Sequence, residues 1–423
     1  MVTLKSFLGM IAAVPFIMAC NQTGQVNATL FPASGSENVN PDTHLVLTFS
    51  ETPVLGDSGM IRVYDAVTDQ VVDSLDLSIP SGPTESRTYG PECDYTKVPY
   101  DYTRTVVPTN KDTRPGTPSG TAEPTPPVYQ LTIIGGFTDA FHFYPVIVRD
   151  SIATIYLHNN MLEYGHTYYV TIDNGVLNLA DGSFQGVTKE DEWTFTTKSD
   201  MPELSDTLIV DATGKGDFNT VQGALDFIPD FNEQQTVILV NPGDYEELVY
   251  TRNKWNVKIK GAGMADTKVH YANNEVFNPH PLTVKTNEWP GTFPSRRAAF
   301  MLDNCKDIVI EDMTIATDLK GQAEGLLING ERIALYRVHI IGSGDALQAN
   351  GTIYMESCEL DGGGDTILGR GSLFAYKSNF RNGGGPFSWV RNTAGNHGNV
   401  FVECTFSTVS YTHLRAHETC ADL

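Results

Sequence analysis

The chain has 423 residues and a formal charge of −23, with 40% apolar and 19% charged residues. This length suits two domains of globular composition, and no apolar run past the N-terminus reaches the ~18 residues of a membrane helix. The acidity excludes nucleic acid as a partner, because binding a phosphate backbone depends on neutralising lysines and arginines.

In chain order, Lys5 precedes an apolar run from Phe7 to Ala19, and Cys20 with polar NQTGQ follows. So short a run reads as a signal peptide over residues 1–20, leading either to cleavage and release or to lipidation. Ile17, Ala19 and Cys20 resemble a bacterial lipoprotein signal, in which the cysteine after a small residue becomes the lipidated first residue. That resemblance implies a secreted chain anchored by lipid at the bacterial envelope, at the outer membrane or cell surface, with Cys20 as the lipidation site.

From 29 to 198 the chain reads as short alternating runs: HLVLTFS, MIRVYDA, YQLTII, ATIYLHN, TYYVTID and EWTFTTK. Period-two patterning with Gly, Asn and Asp turns predicts a β-sandwich. Within it, residues 107–127 are rich in Pro, Thr and Gly and are expected to form a mobile loop. FPASGSENVNPDTHLVLTFS and EWTFTTK resemble bacterial Ig-like modules, which act as spacers or binding units. Residues 199–206, SDMPELSD, form the linker.

The pattern then changes. NTVQGALDFIP places Val221, Ala224, Leu225 and Ile228 at helical spacing and stops at Pro229, predicting a short amphipathic helix that covers an open first coil. Apolar runs recur, and their equivalent positions Met313, Val338, Cys358, Ser378 and Cys404 are separated by 25, 20, 20 and 26 residues. Repeats of this length indicate a solenoid whose units bury their faces against each other. The predicted fold is therefore all-β: a right-handed parallel β-helix over residues 207–408, preceded by an Ig-like β-sandwich. Cys358 and Cys404 share a position two coils apart, too far for a disulfide, so free core-facing thiols are expected.

GSGDALQ and GGGDTIL put Asp345 and Asp365 at the same place on consecutive coils, seven residues after Val338 and Cys358. Strands ~4.8 Å apart bring the carboxylates within reach, and two charges that close are usually resolved by one keeping its proton. A turn aspartate in each coil is the bland alternative. Nothing in the sequence pairs the two off into simple salt bridges, although Arg370 is a candidate partner for one. Gln322, nine residues past Met313, is placed near the same line, where a neutral amide suits an oxygen that becomes negative in acyl transfer. Residues 366–399 carry Arg370, Lys377, Arg381 and Arg391 and no acid, a local reversal that predicts a groove for an anionic ligand.

Together these residues resemble the pectin methylesterase family. DATGKGDFNTVQGALDFIP resembles its entry motif, NPGDYEELV its Gly-x-Tyr-x-Glu segment, IKGAGMADTKV the Gly-x-Gly turn, QAEGLLI its Gln-Ala-Val-Ala-Leu stretch, GDALQ its Gln-Asp-Thr-Leu, and GDTILGRGSLF its Val-Asp-Phe-Ile-Phe-Gly block. The resemblance implies a monomeric carbohydrate esterase that acts on pectin, methylated polygalacturonate, without cofactor or metal. It assigns Asp365 as nucleophile, Asp345 as acid and then base, and Gln322 as oxyanion donor. Two departures stand out. Gly344 replaces the family's second glutamine, and the later Leu-Gly-Arg-Pro-Trp segment is absent, so Arg370 or Arg391 would hold the nucleophile and Trp389 would stack on a sugar.

From Ser407 the strand pattern ends, and SYTHLRAHET resembles translated adapter read-through. Residues 409–423 are expected to be a non-native tail on an incomplete β-helix whose exposed last coil favours aggregation. Two other readings remain open: a β-helical pectate lyase or polygalacturonase, and a non-catalytic polysaccharide-binding β-helix.

Overall fold

The structure is a computed structural model, describing residues 26–84, 129–137, 141–278, 296–392 and 395–408. Cys20, the 107–127 segment and the 409–423 tail lie outside the described residues. No helix among the described residues is long and apolar enough to cross a membrane.

Two larger sheets dominate the first half. One runs in the order Thr29–Phe31, Leu45–Thr48, Ile152–Ile155 and Val146–Arg149, the other Ser36–Val39, Thr194–Thr197, Thr167–Ile172, Met60–Asp65 and Gln70–Asp76. Alternation turns every second side chain inward, so Leu45, Leu47, Ile61, Val63, Ala153, Ile155, Val170, Ile172 and Phe195 share one core around Trp193. YQLTII is not a sandwich strand. Only Leu131–Thr132 extends, pairing with Phe141–His142 outside both sheets. Ile134, Phe137 and Phe141 instead pack on Leu248, Tyr250, Tyr271 and Phe277 of the second half, where they find apolar partners that the sandwich does not offer.

The second half is a parallel β-helix of sixteen strands beginning at Thr207–Val210. The pairings Met313↔Val338, His339↔Glu359, Glu359↔Asn379 and Asn379↔Thr405 set Met313, Val338, Cys358, Ser378 and Cys404 on one line, as the spacing predicts. Aliphatic side chains stack the same way inside, for example Ile315, Ile340, Leu360 and Phe380. Cys305, Cys358 and Cys404 are free thiols, the first two buried.

One residue before that line the chain turns a corner. Asp312, Arg337, Ser357, Lys377 and Glu403 all have φ between 49° and 58°. A left-handed conformation costs a non-glycine residue roughly 1–2 kcal/mol, a cost that the core stack on either side offsets. These side chains have no common chemistry, so their residue types gave no sign of the corner.

The helix Val221–Phe227 is capped by Thr220, whose side chain accepts from Gly223 N. Val221, Ala224, Leu225 and Ile228 seal the first coil as predicted. The opposite face is covered too, because the sandwich sits on it. Asp42 accepts from Asn219 N and Thr220 N at 2.9 and 2.8 Å, and Asn159 donates to Asp226 at 2.8 Å. Beside this contact Arg149 reaches Glu246 at 2.5 Å, while His270 Nδ1 meets Asp318 at 2.5 Å. The sequence marks a seam between two halves, and the structure adds contacts across it, apolar where Phe137 and Phe141 meet Tyr250 and polar where Asp42 and Asn159 meet the helix.

Candidate active site

The turns carrying the two aspartates are built on glycine because consecutive coils nearly touch there. A Cβ on Gly364 would meet Gly344 O at 2.7 Å, and one on Gly344 would meet Gly321 O at 2.7 Å. Leu326↔Leu347 and Leu347↔Ile367 fix the register, so the residues two places earlier, Glu324, Asp345 and Asp365, occupy equivalent positions on three consecutive coils. Asp365 N donates to Asp345 Oδ1 at 3.1 Å, which ties the two turns together. Asn382 on the following coil donates to Gly364 O at 2.6 Å and Thr366 Oγ1 at 3.0 Å, holding the second turn in place.

The predicted pair is thus in register, with two corrections. Gln322 lies two residues ahead of the line, exposed, and the residue on the line is Glu324, which is fully buried. The second correction concerns pairing. Arg297 Nη2 lies 3.2 Å from Asp345 Oδ2, so the pair does have a basic neighbour. Sequence reading missed Arg297 because it precedes the strand Phe300–Thr317 and stands 48 positions before Asp345.

Arg297 is the hub of the site. Its Nε reaches Glu324 Oε1 at 2.6 Å, and its Nη1 reaches Gln322 Oε1 at 3.1 Å and Glu275 at 3.3 Å. A guanidinium only donates, so the Gln322 carbonyl must face it and the amide nitrogen is the outward end. The backbone that carries Arg297 is clamped on both sides, by Asn273 donating to Arg296 O at 2.8 Å and by Tyr250 donating to Ala298 O at 2.8 Å. Arg296 itself is buried, 4.3 Å over the Phe141 ring, so the sandwich side helps to anchor this segment.

Asp345 is buried and Asp365 half-buried. Burial pushes the Asp345 carboxyl up, Arg297 pulls it down, and Asp365 pushes it up again; the net result lies above the ordinary aspartate value. Burial therefore favours the protonated form of Asp345.

Of the four bases in residues 366–399 from which the sequence predicts an anion groove, two are paired with acids. Arg381 pairs with Asp361 and Glu359 at 2.5 and 2.6 Å, and Lys377 lies 3.8 Å from Glu403, so acids of neighbouring coils neutralise both. A basic run along the chain is not a basic surface when coils stack. Arg391 stands near enough to the pair for its charge to lower Asp345. Arg370 is tied by its backbone N to Asn350 Oδ1 at 3.1 Å and donates from Nη1 to Arg391 O at 3.2 Å. Trp389 pairs across from Leu368 on the coil after Asp365, 53% exposed, with the Arg391 guanidinium 5.9 Å from its ring centre.

A family model described as Pectinesterase matches residues 207–383. Pectinesterase QRT1 of Arabidopsis thaliana is 31% identical over 170 residues, 38% of this chain and 43% of the relative. Pectinesterase 31 of the same plant is 29% identical over 165 residues, 38% of this chain and 51% of the relative. The chain spans about half the length of the curated relatives it matches. A solved pectin methylesterase from carrot is 18% identical, covers 49% of this chain and 66% of its own, and has a TM-score of 0.40.

Proposed function

We propose that the β-helix is a carboxylic ester hydrolase that removes methyl groups from pectin. The observation that carries this reading is the pair Asp345 and Asp365 in register, one buried below its usual acidity and one half-open, within a segment matched by the pectinesterase model. Asp365 attacks the ester carbonyl as carboxylate. The oxygen that becomes negative accepts from the Gln322 amide nitrogen. Asp345 gives its proton to departing methoxide, help worth ~10²–10⁴-fold, and methanol leaves. Asp345, now a carboxylate, takes a proton from water as that water attacks the acyl-enzyme, which restores both groups and frees the galacturonate. Arg391 and Arg370 meet the carboxylates of neighbouring sugars, and Trp389 offers a ring for stacking.

Products test this directly. The protein mixed with methylated polygalacturonate should release methanol and leave chain length unchanged. New reducing ends or unsaturated ends without methanol would overturn the proposal in favour of a hydrolase or lyase. A second reading, polysaccharide binding without turnover, is favoured by Gly344, where the approach of Gly321 O leaves no room for a second amide side chain. Binding to pectin with no methanol would select it.

We also propose that the sandwich is an Ig-like module and that the chain is held by lipid on Cys20 at the cell envelope. Extraction into detergent lost on Cys20→Ser tests the anchor, and unchanged partitioning would refute it.

A further inference from the structure

Glu324 is the third member of the stack that holds Asp345 and Asp365, and the mechanism above does not use it. It stands where the resembled Gln-Ala-Val-Ala-Leu stretch has valine. Its side chain is 0% exposed; Oε1 takes both Nε and Nη2 of Arg297 at 2.6 Å, and Oε2 has no hydrogen-bond partner. A buried glutamate in place of an apolar residue carries a desolvation penalty of several kcal/mol, so its presence calls for a reason.

The arrangement of charge supplies one. A lone guanidinium beside a carboxyl favours the ionised form, and Arg297 beside Asp345 would strip the acid of the proton it must donate. Arg297, however, lies closer to Glu324, at 2.6 Å, than to Asp345, at 3.2 Å. We propose that Glu324 is a positioning residue for the Asp345 acid: by holding Nε and Nη2 of Arg297 it neutralises the guanidinium and leaves the shared proton of the carboxyl stack on Asp345. The same contact fixes the guanidinium plane that turns the Gln322 amide. The catalytic meaning of this inference rests on the esterase reading, but the order of protonation does not.

The charged and titratable groups facing the stack are few among the described residues. Arg297 and Glu275 lie on the side of the preceding coil, Asp365 and Arg391 on the following one, and Tyr250 and Arg296 beneath. Burial raises both Glu324 and Asp345 above their ordinary values, the charge of Asp345 adding to the rise at Glu324 and that of Asp365 to the rise at Asp345, and Arg297 opposes this in each.

Carboxyl-13C NMR reads the order directly. In the wild-type protein labelled at aspartate and glutamate carboxyls, with the two resonances assigned through Asp345→Asn and Glu324→Gln, Asp345 should take up its proton at higher pH than Glu324. In Glu324→Gln, Asp345 should titrate lower by roughly 1–3 pH units. Glu324 protonating first, or an unmoved Asp345 in Glu324→Gln, overturns the proposal. If Glu324→Gln does not fold, the wild-type order decides alone. Where methanol is released, the alkaline limb of kcat/KM should move acidward with Asp345 in Glu324→Gln, with KM little changed. A wild-type chain that releases no methanol refutes the esterase reading and leaves the titration standing.

Discussion

Glu247 should make the joint between the two halves sensitive to pH, and replacing it with glutamine should remove that sensitivity. Its carboxyl is buried against the helix start, accepting from Val221 N and Gln222 N at 2.8 and 2.9 Å. Burial, with the nearby charges of Asp42 and Asp226, pushes it from 4.5 to about 7 in spite of those two donors. A folded-state value above the unfolded one means that its contribution is complete below pH 4.5 and is lost as pH rises through 7. Linkage sets the loss at ~3 kcal/mol, or roughly 6–12 °C in melting midpoint for a unit of 150–250 residues. His44 works in the opposite sense: burial lowers it from 6.5 to about 4, so its contribution is lost as pH falls through that window. The two partly cancel in the wild-type curve, and the difference between wild type and Glu247→Gln isolates the glutamate. At pH 4.5 the glutamine variant should be the less stable, because its NH2 group faces a backbone N–H. By pH 8 differential scanning calorimetry should show that gap reduced by roughly the stated amount. A gap that stays constant or widens would refute the reasoning.

Other consequences follow from the same geometry. Asp345→Asn should lower methanol release by ~10²–10⁴-fold in an initial-rate assay while leaving the melting midpoint within a few degrees, since the asparagine can still accept from Asp365 N. Ile340→Ala, at a site with 0% exposure in the core stack, should cost ~2–5 kcal/mol by denaturant unfolding. At the corner residue Ser357, with φ of 54°, glycine should be close to neutral whereas valine should cost ~1–2 kcal/mol. Gly344→Gln should lower stability and fail to raise turnover, because its Cβ would lie 2.7 Å from Gly321 O; a faster enzyme would show that the turn can open.

The coil register was readable from Met313, Val338, Cys358, Ser378 and Cys404 because a solenoid repeats its core, and a repeat leaves a trace in spacing alone. The same spacing placed Asp345 beside Asp365. It did not reveal Arg297, since the long interval between Tyr271 and Phe300 breaks the period, nor did it put Glu324 rather than Gln322 on the line, for the turn after Met313 reaches the line in eleven residues where the next two coils take seven. Arg381 and Lys377 were misjudged for a related reason: their partners Asp361 and Glu403 are 20 and 26 residues away in the chain yet one coil away in space. YQLTII has the alternation of a sandwich strand, but the sequence of one half does not show that its apolar residues serve the other.

Methanol release by wild type and by Asp365→Ala, measured side by side on methylated polygalacturonate with both proteins shown to be folded, tests the catalytic pair most directly. Asp365 as the attacking group predicts steady release by the wild type and a fall to background in the variant. Release by the variant at the wild-type rate would contradict it.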